Sequence, residues 1–111
     1  RINLREFIKL IQKKPQAVLY EIRIDYLEYF IDGFKGCNAI NDFGDDTAVQ
    51  FHYYFSDWLV RWIQKNRNKK YKKQHFFWYH TLRDITKDEA EAVALFFTLC
   101  DKFYEEYENR K

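Results

Sequence analysis

The sequence has few residues that break or turn a chain: three glycines and one proline among 111 residues. Folds built from many short strands need frequent turn residues, so this scarcity favours long helices. Hydrophobic residues make up 47% of the chain and aromatic residues 21%, enough for a substantial core. At this length the composition predicts one all-α domain over residues 1–111.

Bulk charge and hydropathy exclude few functions. The formal net charge is +2, with 32% charged residues of both signs, too small an excess to indicate a polyanionic partner by itself. No signal-peptide pattern and no run of 18 apolar residues is present, which predicts a cytoplasmic protein without a membrane span. Cys37 and Cys100 are accordingly expected to be free thiols.

Hydrophobic periodicity predicts a compact bundle of about five helices joined by short loops. The helices are expected at residues 3–14, 23–35, 48–66, 75–85 and 87–107. Between the first two, residues 17–22 are expected to form an extended connector that packs Val18 and Tyr20 on the core.

Capping signals predict where these helices begin and end. Capping-box spacing occurs at three places, namely Asn3 with Glu6, Thr47 with Gln50, and Thr86 with Glu89. Pro15 is expected to end the first helix, and Gly36 to act as the C-cap of the second.

A run of seven cations without an acid lies within residues 61–73. It consists of Arg61, Lys65, Arg67, Lys69, Lys70, Lys72 and Lys73. One interpretation is a phosphate-binding patch in which Tyr71 or Phe76 stacks on bases. The other is a solvated turn after a helix, with cations near the negative end of the helix dipole. An isoelectric point of only 8.5 favours the turn, which also suits an acidic protein partner.

A second charged feature is the loop that carries Asp42, Asp45 and Asp46. Its acids resemble the start of a calcium loop, but the glutamate expected at the twelfth position is absent. The loop is interpreted either as a soluble segment that caps the third helix or as a negative face. Such a face would attract a basic partner and would mimic phosphates if that partner is a nuclease.

Catalytic and metal-binding patterns are lacking. Ser56 is the only serine, and no Gly-x-Ser-x-Gly elbow surrounds it. His75 and His80 are five residues apart, off a common helical face, and no Cys or carboxylate joins them at zinc-site spacing. No signal specifies an approach of Cys37 to His52. The sequence therefore predicts no enzyme activity, no metal and no cofactor.

Five patches, mostly at core positions, form a pattern over most of the chain. They are Lys14-Pro15, residues 27–34 (LEYFIDGF), residues 55–59 (FSDWL), Trp78 with Leu82, and residues 89–99 (EAEAVALFFTL). The pattern resembles a family of small bacterial proteins similar to the immunity proteins of polymorphic-toxin and contact-dependent growth inhibition systems. The chain departs from that pattern after the proline, at residues 16–21 (QAVLYE), where relatives tend to carry Met-Tyr and a Gly.

The resemblance implies a cytosolic protein that binds a cognate toxin domain and blocks its active site by stoichiometric occlusion. The partner-binding residues expected from charge are Asp42, Asp45, Asp46, Arg61, Lys65, Arg67, Lys69, Lys70 and Tyr71. Tyr53, Tyr79 and Tyr104 are further candidates, since tyrosine is favoured at interfaces. The alternatives are a nucleic-acid-binding or regulatory module that uses residues 61–73, and a structural subunit of a larger assembly.

Overall fold

A computed structural model describes residues 1–109 as six helices and their connections. The helices are α1 Leu4–Lys13, α2 Pro15–Val18, α3 Ile24–Ile40, α4 Asp46–Asn66, α5 Trp78–Asp84 and α6 Glu89–Glu108. No strand occurs in this range, so the all-α prediction is confirmed. The predicted count of about five is close, because the additional helix is the single turn α2. None of the helices at residues 1–109 is both long and apolar enough to cross a membrane.

Aromatic rings from three helices form the centre of the core. Phe55 of α4 is fully buried, and its ring lies edge-to-face against Trp78 of α5 at a centroid distance of 5.9 Å. The same ring meets Phe96 and Phe103 of α6 edge-to-face at 5.7 and 5.3 Å. Such pairs contribute about 0.5–1.5 kcal/mol each beyond the burial of their area. This cluster therefore holds α4, α5 and α6 together.

A network of charged side chains fixes the start of α3 against α5 and α6. Nη2 of Arg83 lies 3.3 Å from Oδ1 of Asp25 and 2.9 Å from Oε1 of Glu89. The backbone N–H of Ile24 donates to the same Glu89 oxygen at 3.2 Å. The hydrogen bonds from Arg83 hold the pKa of Glu89 below its usual value. Glu89 thus anchors α3 as well as opening α6.

Of the three predicted capping boxes, only the first is confirmed. Asn3 accepts from the Glu6 N–H at 2.8 Å, while the Glu6 carboxylate accepts from the Asn3 N–H at 3.1 Å. In the other two, an aspartate two residues away from the predicted threonine takes the N-cap position, Asp45 for α4 and Asp88 for α6. The carboxylate also carries a charge that suits the positive end of the helix dipole.

The connector after α1 differs from its prediction. Pro15 does end α1, but it also opens α2 at the first helical position, where its missing N–H costs nothing. The resulting turn changes which side chain enters the core. Leu19 is buried, whereas Tyr20 is 92% exposed and Val18 is half-buried. The expectation that Tyr20 packs on the core was wrong.

The predicted end of the second helix at Gly36 was also wrong, because α3 continues to Ile40. Neither Gly33 nor Gly36 has a positive φ. A Cβ added at either position would meet no atom within 4 Å. Both glycines therefore lie on exposed helix surface.

Replacing Gly36 by alanine tests this boundary. Because Gly36 is helical and has open space around it, Gly36→Ala should raise the free energy of unfolding by roughly 0.5–1 kcal/mol. Urea denaturation measures the change. A C-cap glycine in the left-handed region would give the opposite sign, so a destabilised variant contradicts the observed helix.

Candidate functional site

A cleft of about 330 Å³ opens between α3, α4 and the segment of residues 67–77. Its polar lining consists of Glu28, Asp32, Lys35, His52, Ser56, Asp57 and Lys73. Its apolar lining consists of Phe51, Tyr53, Phe76, Phe77 and Trp78. We refer to it as the Glu28 cleft, since Glu28 is its most unusual residue.

Glu28 is buried because it occupies a core position of α3. Ile24, Leu27 and Ile31, fully buried, complete the helical stripe to which residue 28 belongs. The Glu28 side chain is only 6% exposed. Its Oε2 atom is shielded from solvent and accepts no hydrogen bond from the described residues. Buried polar atoms without a partner are rare in folded proteins, so this one calls for an explanation.

The surroundings of Glu28 strongly favour its protonated form. Burial is the largest cause, and together with the hydrogen bonding and charge of Asp32 it raises the pKa of Glu28 from 4.5 to about 8. Lys35 and Trp78 oppose the shift without cancelling it. Glu28 is thus largely protonated at neutral pH and readily ionised by a nearby cation. A perturbed carboxyl group in a cleft is typical of functional sites.

The two lysines of the cleft are paired with other acids. Nζ of Lys35 lies 3.5 Å from Oδ1 of Asp32, and Nζ of Lys73 lies 2.9 Å from Oδ1 of Asp57. Neither pair includes Glu28. With Glu28 ionised, three carboxylates face two ammonium groups, which leaves one negative charge without compensation.

Exposed aromatic side chains surround the mouth of the cleft. Tyr53 is 67% exposed, Phe76 83% and Phe77 47%. We call these three residues the aromatic rim. The ring of Phe77 packs on Phe76 at 5.0 Å and stacks on Tyr79 at 5.6 Å, so these three rings form a connected surface. Adjacent large apolar groups in solvent mark interaction sites.

An apolar groove of about 440 Å³ lies on another face of α3. It is lined by Phe7, Tyr26, Tyr29, Phe30, Gly33 and Phe34. Phe7 of α1 stacks on Phe34 at 4.2 Å and closes one wall. Tyr29 and Phe30 remain exposed. Helix α3 therefore carries two neighbouring concave surfaces.

The predicted acidic loop divides into structural and available groups. Oδ1 of Asp45 accepts from the N–H groups of Thr47 and Ala48 at 3.0 and 3.2 Å. Its Oδ2 accepts from the N–H of Leu4 at 2.7 Å. Asp45 thus caps α4 and ties it to α1, while Asp42 and Asp46 are exposed. Only those two acids are free to meet a partner.

The predicted basic residues lie on α4 and in the segment that follows it. Arg61 and Lys65 line a depression of about 320 Å³, which also includes Lys102 of α6. The next three cations, Arg67, Lys69 and Lys70, are exposed beyond them.

Tyr71 does not serve as the predicted stacking platform. It is buried, and its hydroxyl donates to Oδ2 of Asp84 at 2.8 Å. Burial, with the hydrogen bond and charge of Asp84, raises the pKa of Tyr71 to about 12. Tyr104 is likewise buried and donates to the carbonyl of Thr47 at 2.7 Å. Both tyrosines hold the fold rather than offering a surface.

Two histidines approach each other in a way that their spacing did not indicate. The rings of His75 and His80 are 5.6 Å apart, because His75 precedes α5 rather than lying within it. Nε2 of His75 lies 2.8 Å from Oδ2 of Asp84. Within residues 1–109, no group of three His, Cys, Asp or Glu side chains is placed to hold a metal ion.

No family model, curated protein or solved structure matches this chain. The chemistry of the cleft is the remaining guide to its use. Protonated Glu28 can donate a hydrogen bond, and ionised Glu28 can hold a cation. The aromatic walls suit the apolar portion of such a ligand.

The pH dependence of stability tests the burial of Glu28. Since the pKa of Glu28 is raised on folding, the folded protein retains a proton that the unfolded chain releases above pH 4.5. Its stabilising contribution is therefore lost as the pH rises from 4.5 to about 8. The loss should be on the order of 4 kcal/mol in the wild type and absent in Glu28→Gln.

Urea denaturation between about pH 4 and pH 9 measures this difference. Asp46→Asn, which alters an exposed acid outside the cleft, is the control and should follow the wild type. Parallel stability curves for the wild type and Glu28→Gln would contradict the raised pKa.

The role of Asp45 predicts a loss of stability. Asp45→Ala removes the α4 cap and the bond to Leu4, and should lower the free energy of unfolding by about 2 kcal/mol. Asp46→Ala should cost about 0.5 kcal/mol, since it removes only a dipole interaction. Equal losses in thermal or urea denaturation would show that Asp45 has no special position.

Proposed function

We propose that the protein binds a protein partner through the surface around the Glu28 cleft and the neighbouring groove, acting as an immunity-type inhibitor by occlusion. The observation that carries this proposal is the collection of exposed aromatic side chains on that surface. They are Tyr29, Phe30, Tyr53, Phe76 and Phe77.

Aromatic residues are enriched at protein interfaces and supply most binding hot spots. A standard interface covers about 800 Å² per partner, roughly a ninth of the 7150 Å² surface of this protein. The rigid aromatic core beneath it keeps the anchors in position, which lowers the entropic cost of binding.

The resemblance of the sequence to immunity proteins supports a toxin as the partner. Two of the patches that carry this resemblance also line the cleft. Residues 27–34 contribute Glu28 and Asp32 to the cleft, and residues 55–59 contribute Ser56 and Asp57. Two of the five patches that carry the resemblance thus supply four of the seven polar residues that line the cleft. Exposed charges elsewhere, such as Asp46 and Lys69, would affect the rate of encounter more than the affinity.

The nucleic-acid alternative receives less support from the structure. Of the two predicted stacking residues, Tyr71 is buried and cannot stack on a base, whereas Phe76 is exposed. Lys73 is paired with Asp57, which reduces its availability to phosphate. Arg61, Lys65 and Lys102 around their depression remain the best site for that alternative.

A pull-down from the native host tests the proposal. The tagged protein should retain a stoichiometric partner with a toxin-like domain. The double substitution Phe76→Ala and Phe77→Ala should reduce its recovery by about tenfold, as expected for hot-spot residues. Tyr20→Ala is the matched control, because Tyr20 is exposed but lines neither the cleft nor the groove.

Recovery of nucleic acid alone would contradict the proposal. Equal recovery of a protein partner by the rim variant and by the Tyr20→Ala control would show that the partner binds elsewhere.

A further inference from the structure

We infer that the Glu28 cleft receives one alkylguanidinium group, supplied by an arginine side chain of the protein partner. The geometry points to a site that lacks one cation, and the identity of the donor rests on the proposed function.

Glu28 carries a hydrogen-bond acceptor that no donor of the described residues uses. Oε2 of Glu28 is buried without a hydrogen-bond partner in the described chain, although Glu28 lines an open cleft. A guanidinium group offers paired N–H donors in a fork that matches both oxygens of a carboxylate. Its arrival would supply the missing bond.

The charges of the side chains that line the cleft also favour a cationic ligand. Lys35 and Lys73 are the two lysines that line the cleft. Lys35 is paired with Asp32 at 3.5 Å, and Lys73 is paired with Asp57 at 2.9 Å. Ionised Glu28 is then the uncompensated acid. One monovalent cation balances the cleft, whereas an anion or a second acid would add to the negative charge.

The aromatic wall of the cleft favours a guanidinium group over an ammonium group. Trp78 and Phe51, both buried core residues, form apolar lining beside Glu28. Phe77 and Tyr53 extend this lining to the mouth. Aromatic faces attract cations, and the planar, weakly hydrated guanidinium group stacks on them better than an ammonium group does. The cationic side chain also needs a long alkyl stem to reach the carboxyl group, since Glu28 is only 6% exposed.

Binding is coupled to the loss of a proton. The protonated carboxyl group of Glu28 releases its proton to solvent, and the resulting carboxylate pairs with the guanidinium group. The titratable or charged groups that face Glu28 are Asp32, Lys35, His52, Tyr53, Asp57, Lys73 and Tyr79. Since Glu28 has a pKa of about 8, binding should tighten as the pH rises towards that value.

Titration with n-butylguanidinium, followed by the carboxyl ¹³C signal of Glu28, tests the site on the isolated protein. The wild type should bind it about tenfold more tightly than it binds neutral N-butylurea. Glu28→Gln should weaken n-butylguanidinium binding by about tenfold, while Glu21→Gln, which alters an exposed acid outside the cleft, should not change it. Equal affinity for the urea, or no effect of Glu28→Gln, overturns the inference.

The pull-down distinguishes the source of the cation. Loss of the partner on Glu28→Gln, with Glu21→Gln unaffected, assigns the cation to the partner's side chain. If n-butylguanidinium binds but Glu28→Gln still recovers the partner fully, the cation comes from a free small molecule and the assignment to the partner is overturned.

The inference and the proposed function can fail separately. The arginine site is refuted if n-butylguanidinium does not bind and the partner is lost only with the double variant of Phe76 and Phe77. The proposed function then still stands. Binding of n-butylguanidinium without any protein partner refutes the proposed function instead.

Discussion

The packing of Phe55 against Trp78, Phe96 and Phe103 is the contact on which the rest of the structure depends. It joins α4 to α5 and α6, and it places Trp78 with one part in the core and another in the wall of the Glu28 cleft. The cleft therefore has one wall anchored in the core, while the segment of residues 67–77 forms another part of its boundary. Rigid support of this kind keeps a binding site organised before its ligand arrives.

The same surface contains several features that reduce stability. A carboxyl group is buried with an unpartnered oxygen, Gly33 and Gly36 lie on the exposed side of helix α3, and Phe76 lies almost wholly in solvent. Each could be replaced by a residue that suits the fold better. Their concentration on α3 and beside it is what binding sites commonly show, because residues chosen for a ligand are not optimal for folding.

The sequence was sufficient for the helical architecture, since the apolar stripes of α1, α4 and α6 have the 3.6-residue period. Helix ends were less predictable because neighbouring residues compete for a cap, as Asp88 does with Thr86. The role of Tyr71 depends on Asp84, which is thirteen residues away, and local patterns do not show such a contact. Glu28 did leave a signal, because it lies on the apolar stripe of Ile24, Leu27 and Ile31.

Glu28 is a buried, largely protonated acid in the wall of the cleft. The most direct measurement is a ¹³C NMR titration of its carboxyl group in the folded protein. A midpoint of about 8 is expected from burial and from the neighbouring Asp32. A midpoint near the ordinary 4.5 would mean that the carboxyl group is solvated, and the cleft would then lose the chemistry assigned to it.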